Sequence, residues 1–144
     1  MSKIKKGKGA VGNPDQYPGF LLETSDIDDY LNKRDKGFVG TYSKGQLPEV
    51  KKLMEAKVHS SAVINLDDNQ GSHWIALIYD NGTYYWIDPL GAVPPKIAIK
   101  ELTPLKWSSE IYQDATDASC GLFAIKIILK WRKNNKIFKF KNIK

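Results

Sequence analysis

Apolar positions along the chain change period several times, and the changes divide it into elements. In residues 25–31, Ile27, Tyr30 and Leu31 follow i, i+3, i+4 spacing, which predicts a short helix. Ser25 is placed to cap it, with Asp26, Asp28 and Asp29 in its first turn, where the helix dipole favours acids. Residues 37–42 read as a short extended piece opened by Gly37. A second helix is expected over 47–56, with Pro48 near its start and Leu47, Val50, Leu53 and Met54 on one face.

The period then shortens. Residues 61–66, 73–79 and 83–88 are almost continuously apolar and read as three strands. Asp80-Asn81-Gly82 joins the last two as a tight hairpin, and Pro89 and Gly91 close the third. Strands this apolar belong in a sheet covered on both faces. Residues 96–102 fit a short helix or a strand, and residues 109–113 are expected to return to the sheet as an edge or fourth strand. From Cys120 to Lys133 the apolar residues form no narrow stripe, which predicts a central, broadly buried helix. A last strand is a candidate over 137–140. The pattern as a whole predicts an α+β fold. Its centre is a mixed, mainly antiparallel sheet flanked by helices, with Cys120 at the N-terminus of the central helix. No internal repeat is visible.

Composition adds bounds. A chain of 144 residues, 42% of them hydrophobic, suits one domain with a sizeable core. We place that domain at 20–144, preceded by a flexible basic arm over 1–19. A single cysteine excludes an internal disulfide and a cysteine-rich zinc site, and suits a reducing compartment. No signal peptide or membrane-spanning helix is expected. The formal charge of +6 is unevenly spread: from Lys126 onward there are eight basic residues and no acid. Such a tail either attracts polyanions, non-specific DNA among them, or is a solvated surface.

The chemistry converges on few residues. A lone cysteine read by itself is a buried structural thiol. Cys120, however, stands where the polar run 113–119 becomes an apolar helix, and the positive helix end favours thiolate. His59 reads as a surface residue. His73 opens a strand after a polar loop, and Asp88 ends the neighbouring hairpin strand, so the two lie side by side across the turn. A carboxylate beside an imidazole fixes its tautomer and stabilises imidazolium. Cysteine, histidine and carboxylate then make an activated nucleophile. The Cys120 backbone N–H and the Gln113 amide are candidate oxyanion donors.

These residues carry a resemblance to a known family. Gly71-Ser72-His73-Trp74, Tyr85-Trp86-Ile87-Asp88-Pro89-Leu90-Gly91, Gln113 and Cys120-Gly121-Leu122-Phe123 resemble the motifs of the adenovirus-type maturation cysteine protease, in the wider group of SUMO and ubiquitin-like-protein proteases. The likeness covers roughly residues 24–130; the 38–42 segment resembles the adenoviral enzymes, and 25–31 the SUMO-type ones. It implies a cysteine endopeptidase that matures viral capsid or core proteins by cleaving next to glycine. His73, Asp88, Cys120 and Gln113 would be catalytic, and Trp74, Gly121 and Gly71 would line the substrate cleft.

The resemblance also implies a monomer in the virion or in the host cytoplasm or nucleus. No metal or cofactor is implied, and no membrane partner, while DNA or a peptide could activate the enzyme. The sequence departs from the adenoviral pattern in three ways. Asp88 stands where Glu is usual, only 24 residues follow Cys120, and no second cysteine exists to tether an activating peptide. Compact forms of this family occur in virophages, Polinton-like elements and other double-stranded DNA viruses. The other readings are a SUMO or ubiquitin-like-protein isopeptidase, an acetyltransferase using the same triad, and a basic DNA-binding virion protein.

Overall fold

The apolar segments assemble into one six-stranded sheet in the order β1 to β6. The strands are β1 (Phe38–Ser43), β2 (His59–Asn65), β3 (Trp74–Asp80), β4 (Thr83–Ile87), β5 (Leu105–Ser108) and β6 (Lys141–Asn142). The computed structural model describes residues 24–66, 73–111, 120–133 and 139–142. The expected arm over 1–19 lies outside them. The β2/β3, β3/β4 and β5/β6 pairs are antiparallel, while β1/β2 and β4/β5 are parallel. The sheet is therefore mixed and mainly antiparallel, as the sequence predicts. Among the described residues, four α-helices flank it: α1 (Thr24–Arg34), α2 (Leu47–Glu55), α3 (Lys96–Glu101) and α4 (Cys120–Lys133).

The sheet is buried on both sides, and strand alternation sorts the core into two clusters. Val63, Trp74, Ala76, Ile78 and Ile87 face α1 and α4, where they meet Ile27, Leu31, Leu122, Ile125 and Ile128. Ala62, Ile64, Ile75, Leu77, Tyr84 and Trp86 face the other way, against Leu47, Val50 and Met54 of α2 and Ala98 of α3. The continuous apolar runs of β2 to β4 are thus the signature of a three-layer helix–sheet–helix arrangement. The β3–β4 hairpin turns at Asn81 and Gly82, both with positive φ (50° and 92°). That geometry suits a two-residue turn matched to strand twist, and it explains the Asn-Gly pair.

The structure corrects four local expectations. Helix α1 begins at Thr24, so Ser25 lies inside it rather than capping it, and only Asp26 falls in the first turn. Leu53 is 40% exposed; α2 buries Leu47, Val50 and Met54 and turns Leu53 outward. The strand after β4 is residues 105–108; of the expected 109–113, residues 109–111 are not strand and 112–113 lie outside the described residues. Glu110 N–H bonds back to Ser108 Oγ and Ile111 is 72% exposed, so the chain has left the sheet by then. Finally, the last described strand is Lys141–Asn142; of the expected 137–140, residues 139–140 are not strand and 137–138 lie outside the described residues. Phe140 packs instead on Tyr85 and Trp131, at ring-centroid distances of 4.8 and 5.7 Å. Lys141 and Asn142, in the basic C-terminal run, therefore lie in the sheet beside β5.

Candidate active site

Two strand ends and one helix end define the site. The β2/β3 ladder pairs Asn65 with Trp74 and continues one step further, where Leu66 N–H donates to His73 C=O at 2.9 Å. His73 is thereby held by main-chain bonding just before β3. On the next strand the ladder ends at Ala76↔Ile87. Extending that register puts residue 88 opposite residue 75, with residue 73 as its diagonal neighbour on the same face. The side chains span the diagonal: His73 Nε2 and Asp88 Oδ2 are 3.0 Å apart.

Asp88 is fixed by its own turn. Its C=O accepts from Gly91 N–H at 2.8 Å, closing a turn over residues 88–91, and Pro89 pre-sets the backbone at the second position. Its Oδ1 accepts from Leu90 N–H at 2.8 Å, leaving Oδ2 for the imidazole. Gly91 has φ +74°, and a Cβ there would come within 2.6 Å of Ser109 O. The Asp-Pro-Leu-Gly run therefore aims a carboxylate, with both side-chain oxygens of Asp88 partnered.

The pair is asymmetric in burial. The Asp88 side chain is 1% exposed and that of His73 24%. An ionised carboxylate can only accept, so Nε2 donates its proton to Oδ2, and base chemistry at this ring has to run through Nδ1. A neighbouring carboxylate also stabilises the imidazolium once the ring takes a proton.

Cys120 is the first residue of α4; its side chain is not among those described. The helix is anchored at its other end. Arg132, in the last turn, places Nε and Nη2 at 3.0 and 2.9 Å from Asp35 Oδ1. Asp35 is buried and also accepts from Ser61 Oγ at 2.6 Å and Gly37 N–H at 3.0 Å. This latch joins the link after α1, strand β2 and the end of α4. It sits at the sheet end where His59 pairs with Asp80, the far end of β3 from His73. Helix α4 packs along β3, and its 14 residues span about 20 Å, as do the seven residues of β3. With Arg132 fastened at one end, α4 carries Cys120 toward the end that holds His73 and Asp88.

The remaining expected site residues divide plainly. Trp74 is 4% exposed within the α1/α4 core cluster, so it packs beneath the site rather than forming an exposed wall of the cleft. Gly121 is buried in the first turn of α4. Gln113 and Gly71 lie outside the described residues. Sequence reasoning missed the Leu90 N–H, the Gly91–Ser109 contact and the Asp35–Arg132 latch. The first was latent in the turn sequence, whereas the second depends on a segment 18 residues further on. The latch joins residues 97 apart in the chain and has no local signal.

No protein-family model matches this sequence, and no curated protein matches it. Solved structures do match its fold. The ASFV pS273R protease superposes with a TM-score of 0.61 at 16% identity, over 83% of this chain and 60% of that one. The chain thus spans little more than half the length of that protein. The SUMO protease Ulp1, solved with its catalytic cysteine oxidised to a sulfinic acid, superposes with a TM-score of 0.56 at 16% identity, over 85% of this chain and 70% of that one. This chain therefore has the α+β fold of the SUMO protease-like cysteine proteases.

Proposed function

We propose that this protein is a cysteine endopeptidase in which Cys120 is the nucleophile, His73 the base, Asp88 the orienting carboxylate, and Gln113 with the Cys120 N–H the oxyanion donors. The observation that carries the reading is the His73–Asp88 contact, made at the sheet end toward which α4 directs Cys120. In this mechanism His73 Nδ1 accepts the thiol proton and the thiolate attacks the scissile carbonyl carbon. Negative charge collects on the carbonyl oxygen, where the two donors hold it. As the C–N bond breaks, the imidazolium gives its proton to the leaving amine. Water, deprotonated by the same ring, then hydrolyses the thioester and restores the thiol.

The adenovirus-type motifs favour a maturation role, with viral capsid or core precursors cut next to glycine within the virion or the infected cell. The test is co-expression with a capsid precursor and mass-spectrometric mapping of the new termini. Wild-type protein should create a defined terminus, and Cys120→Ala should abolish it with folding intact. Specific processing that persists in Cys120→Ala refutes the assignment. The likeness to Ulp1, which extends over 70% of that chain, favours a second reading, an isopeptidase acting on a Gly-Gly tail. Release of a fluorophore from the C-terminus of a SUMO- or ubiquitin-like protein, but not from short glycine peptides, would select it.

A further inference from the structure

The end of the sheet opposite His73 carries a recess of about 530 Å³ lined by Arg34, Asp35, Lys36, Lys57, His59 and Arg132. This volume lies within the usual small-molecule range of about 300–1,000 Å³. Four permanent cations face one carboxylate, and that carboxylate is already engaged by Arg132, Ser61 and Gly37. His59 is paired through Nδ1 with Asp80, behind the recess. The C-terminal ends of α1 and α4 also point here, but each is worth only about half a negative charge.

Two of the cations are held rather than loose. The Arg34 guanidinium lies over the Tyr30 ring, 3.6 Å from its centroid, and donates to Tyr30 C=O at 3.2 Å. Arg132 is gripped by Asp35. Room for the Arg132 group depends on a glycine: a Cβ at Gly37 would lie 2.5 Å from Arg132 Nη2 and 2.8 Å from His59 O. Two pre-oriented guanidinium groups, each with N–H donors beyond those given to Asp35 and Tyr30, stand beside two lysines and suit phosphate oxygens.

We propose that this recess is a binding site for clustered phosphate groups, supplied either by a small polyphosphate or by a nucleic-acid backbone. It lies about 20 Å, the length of β3, from the His73–Asp88 pair, and the inference does not depend on the protease reading. The probe is inorganic tripolyphosphate, titrated calorimetrically into the full chain at low salt. Affinity should fall at least tenfold in Arg34→Ser/Lys36→Ser/Lys57→Ser, whose three altered side chains are exposed. It should fall less than twofold in Lys51→Ser/Lys52→Ser/Lys100→Ser, which makes the same charge change on α2 and α3. Equal losses in the two variants, or no binding to wild-type protein, would overturn the proposal.

A measurement on unaltered protein backs this up: the Nε–H resonances of Arg34 and Arg132 should shift on titration, and unmoved resonances count against the site. A short DNA duplex then distinguishes the sources. Displacement of tripolyphosphate by the duplex, with a salt slope about two to three units shallower in the Arg34/Lys36/Lys57 variant, assigns the site to a nucleic-acid backbone. Tripolyphosphate binding that the duplex leaves untouched assigns it to a small polyphosphate.

Discussion

Replacing Asp88 by Asn isolates what the carboxylate contributes, because the substitution keeps shape and removes one acceptor. In the native turn both oxygens accept: Oδ1 from Leu90 N–H at 2.8 Å and Oδ2 from the His73 ring at 3.0 Å. An asparagine side chain has only one oxygen for these two donors. If that oxygen stays on Leu90 N–H, the amide NH2 faces Nε2, and the ring must move its proton to Nδ1, where a base is needed. If the amide flips, NH2 meets Leu90 N–H and a buried donor is left unpaired, at about 1–3 kcal/mol. With Asp88 1% exposed, water cannot stand in. The useful tautomer is thus penalised by about 5–150-fold, taking about 1.4 kcal/mol as tenfold. Loss of the carboxylate's stabilisation of imidazolium comes on top, for a combined fall in kcat on the order of 10²–10⁴. The assay is turnover of a peptide mapped from the capsid-processing experiment, beside ¹⁵N NMR of the His73 ring. The proton should move from Nε2 to Nδ1 even if no substrate is at hand. A folded Asp88→Asn variant that keeps its proton on Nε2 and loses less than fivefold in kcat would refute the reasoning.

Three further outcomes follow from the geometry. Gly91→Ala forces an alanine to φ +74° with its Cβ 2.6 Å from Ser109 O; it should cost about 2–4 kcal/mol in chemical denaturation, and wild-type stability would show that the turn yields freely. Arg132→Ala leaves the buried Asp35 carboxylate with only Ser61 and Gly37 as donors; because Arg132 is 39% exposed, the loss should fall below the full buried-pair value, at about 2–3 kcal/mol, and a loss under 0.5 kcal/mol, about the scatter of an ordinary surface substitution, would dissolve the latch. Burial, followed by its hydrogen bond to Glu55, raises the Tyr84 phenol well above its ordinary value of 10.0. The folded state therefore holds this proton after the unfolded chain has lost it, so stability is complete below about pH 10 and falls above it by up to about 1.4 kcal/mol per pH unit. Urea unfolding at pH 8 to 11 checks this, and a slope unchanged in Tyr84→Phe would assign the alkaline loss elsewhere.

What was legible in the sequence is what local physics writes there. The three central strands, the Asn81-Gly82 turn and the whole span of α4 follow from period and turn chemistry, because neighbours in sequence are also neighbours in the structure. The His73–Asp88 pair was legible for the same reason, since a tight hairpin converts sequence symmetry about the turn into proximity. The sequence misplaced β5, because Leu105–Ser108 contains one buried leucine and no β-branched residue; its place is set by parallel pairing with β4. Leu53 was misread because helical spacing allowed it on the buried stripe, whereas the actual packing against β1 and β2 does not reach that far around α2. The latch and the cationic recess were invisible, being built from three segments that only the fold brings together.

The latch matters to chemistry because of how a helix is held on a sheet. Ala124 of α4 and Ala76 of β3 are both fully buried in the same cluster. Small side chains allow close approach but interlock weakly along the axis, so they set the distance between layers better than the axial position. Axial position is set by the larger side chains Leu122, Ile125 and Ile128 together with directional contacts at the far end: Arg132 on Asp35, and Trp131 against Tyr85 and Phe140. A slip of one residue moves the helix start by about 1.5 Å. A misplacement of about 1 Å between reacting groups can cost 10²-fold in rate. Under the proposed function, Asp35 and Arg132, some 20 Å along the helix from residue 120 by a rise of about 1.5 Å per residue, would help set the register of Cys120 against His73, while Leu90 and Gly91 would set the aim of the ring through Asp88. On this account the precision of the site rests on two anchors at opposite ends of one helix–strand pair.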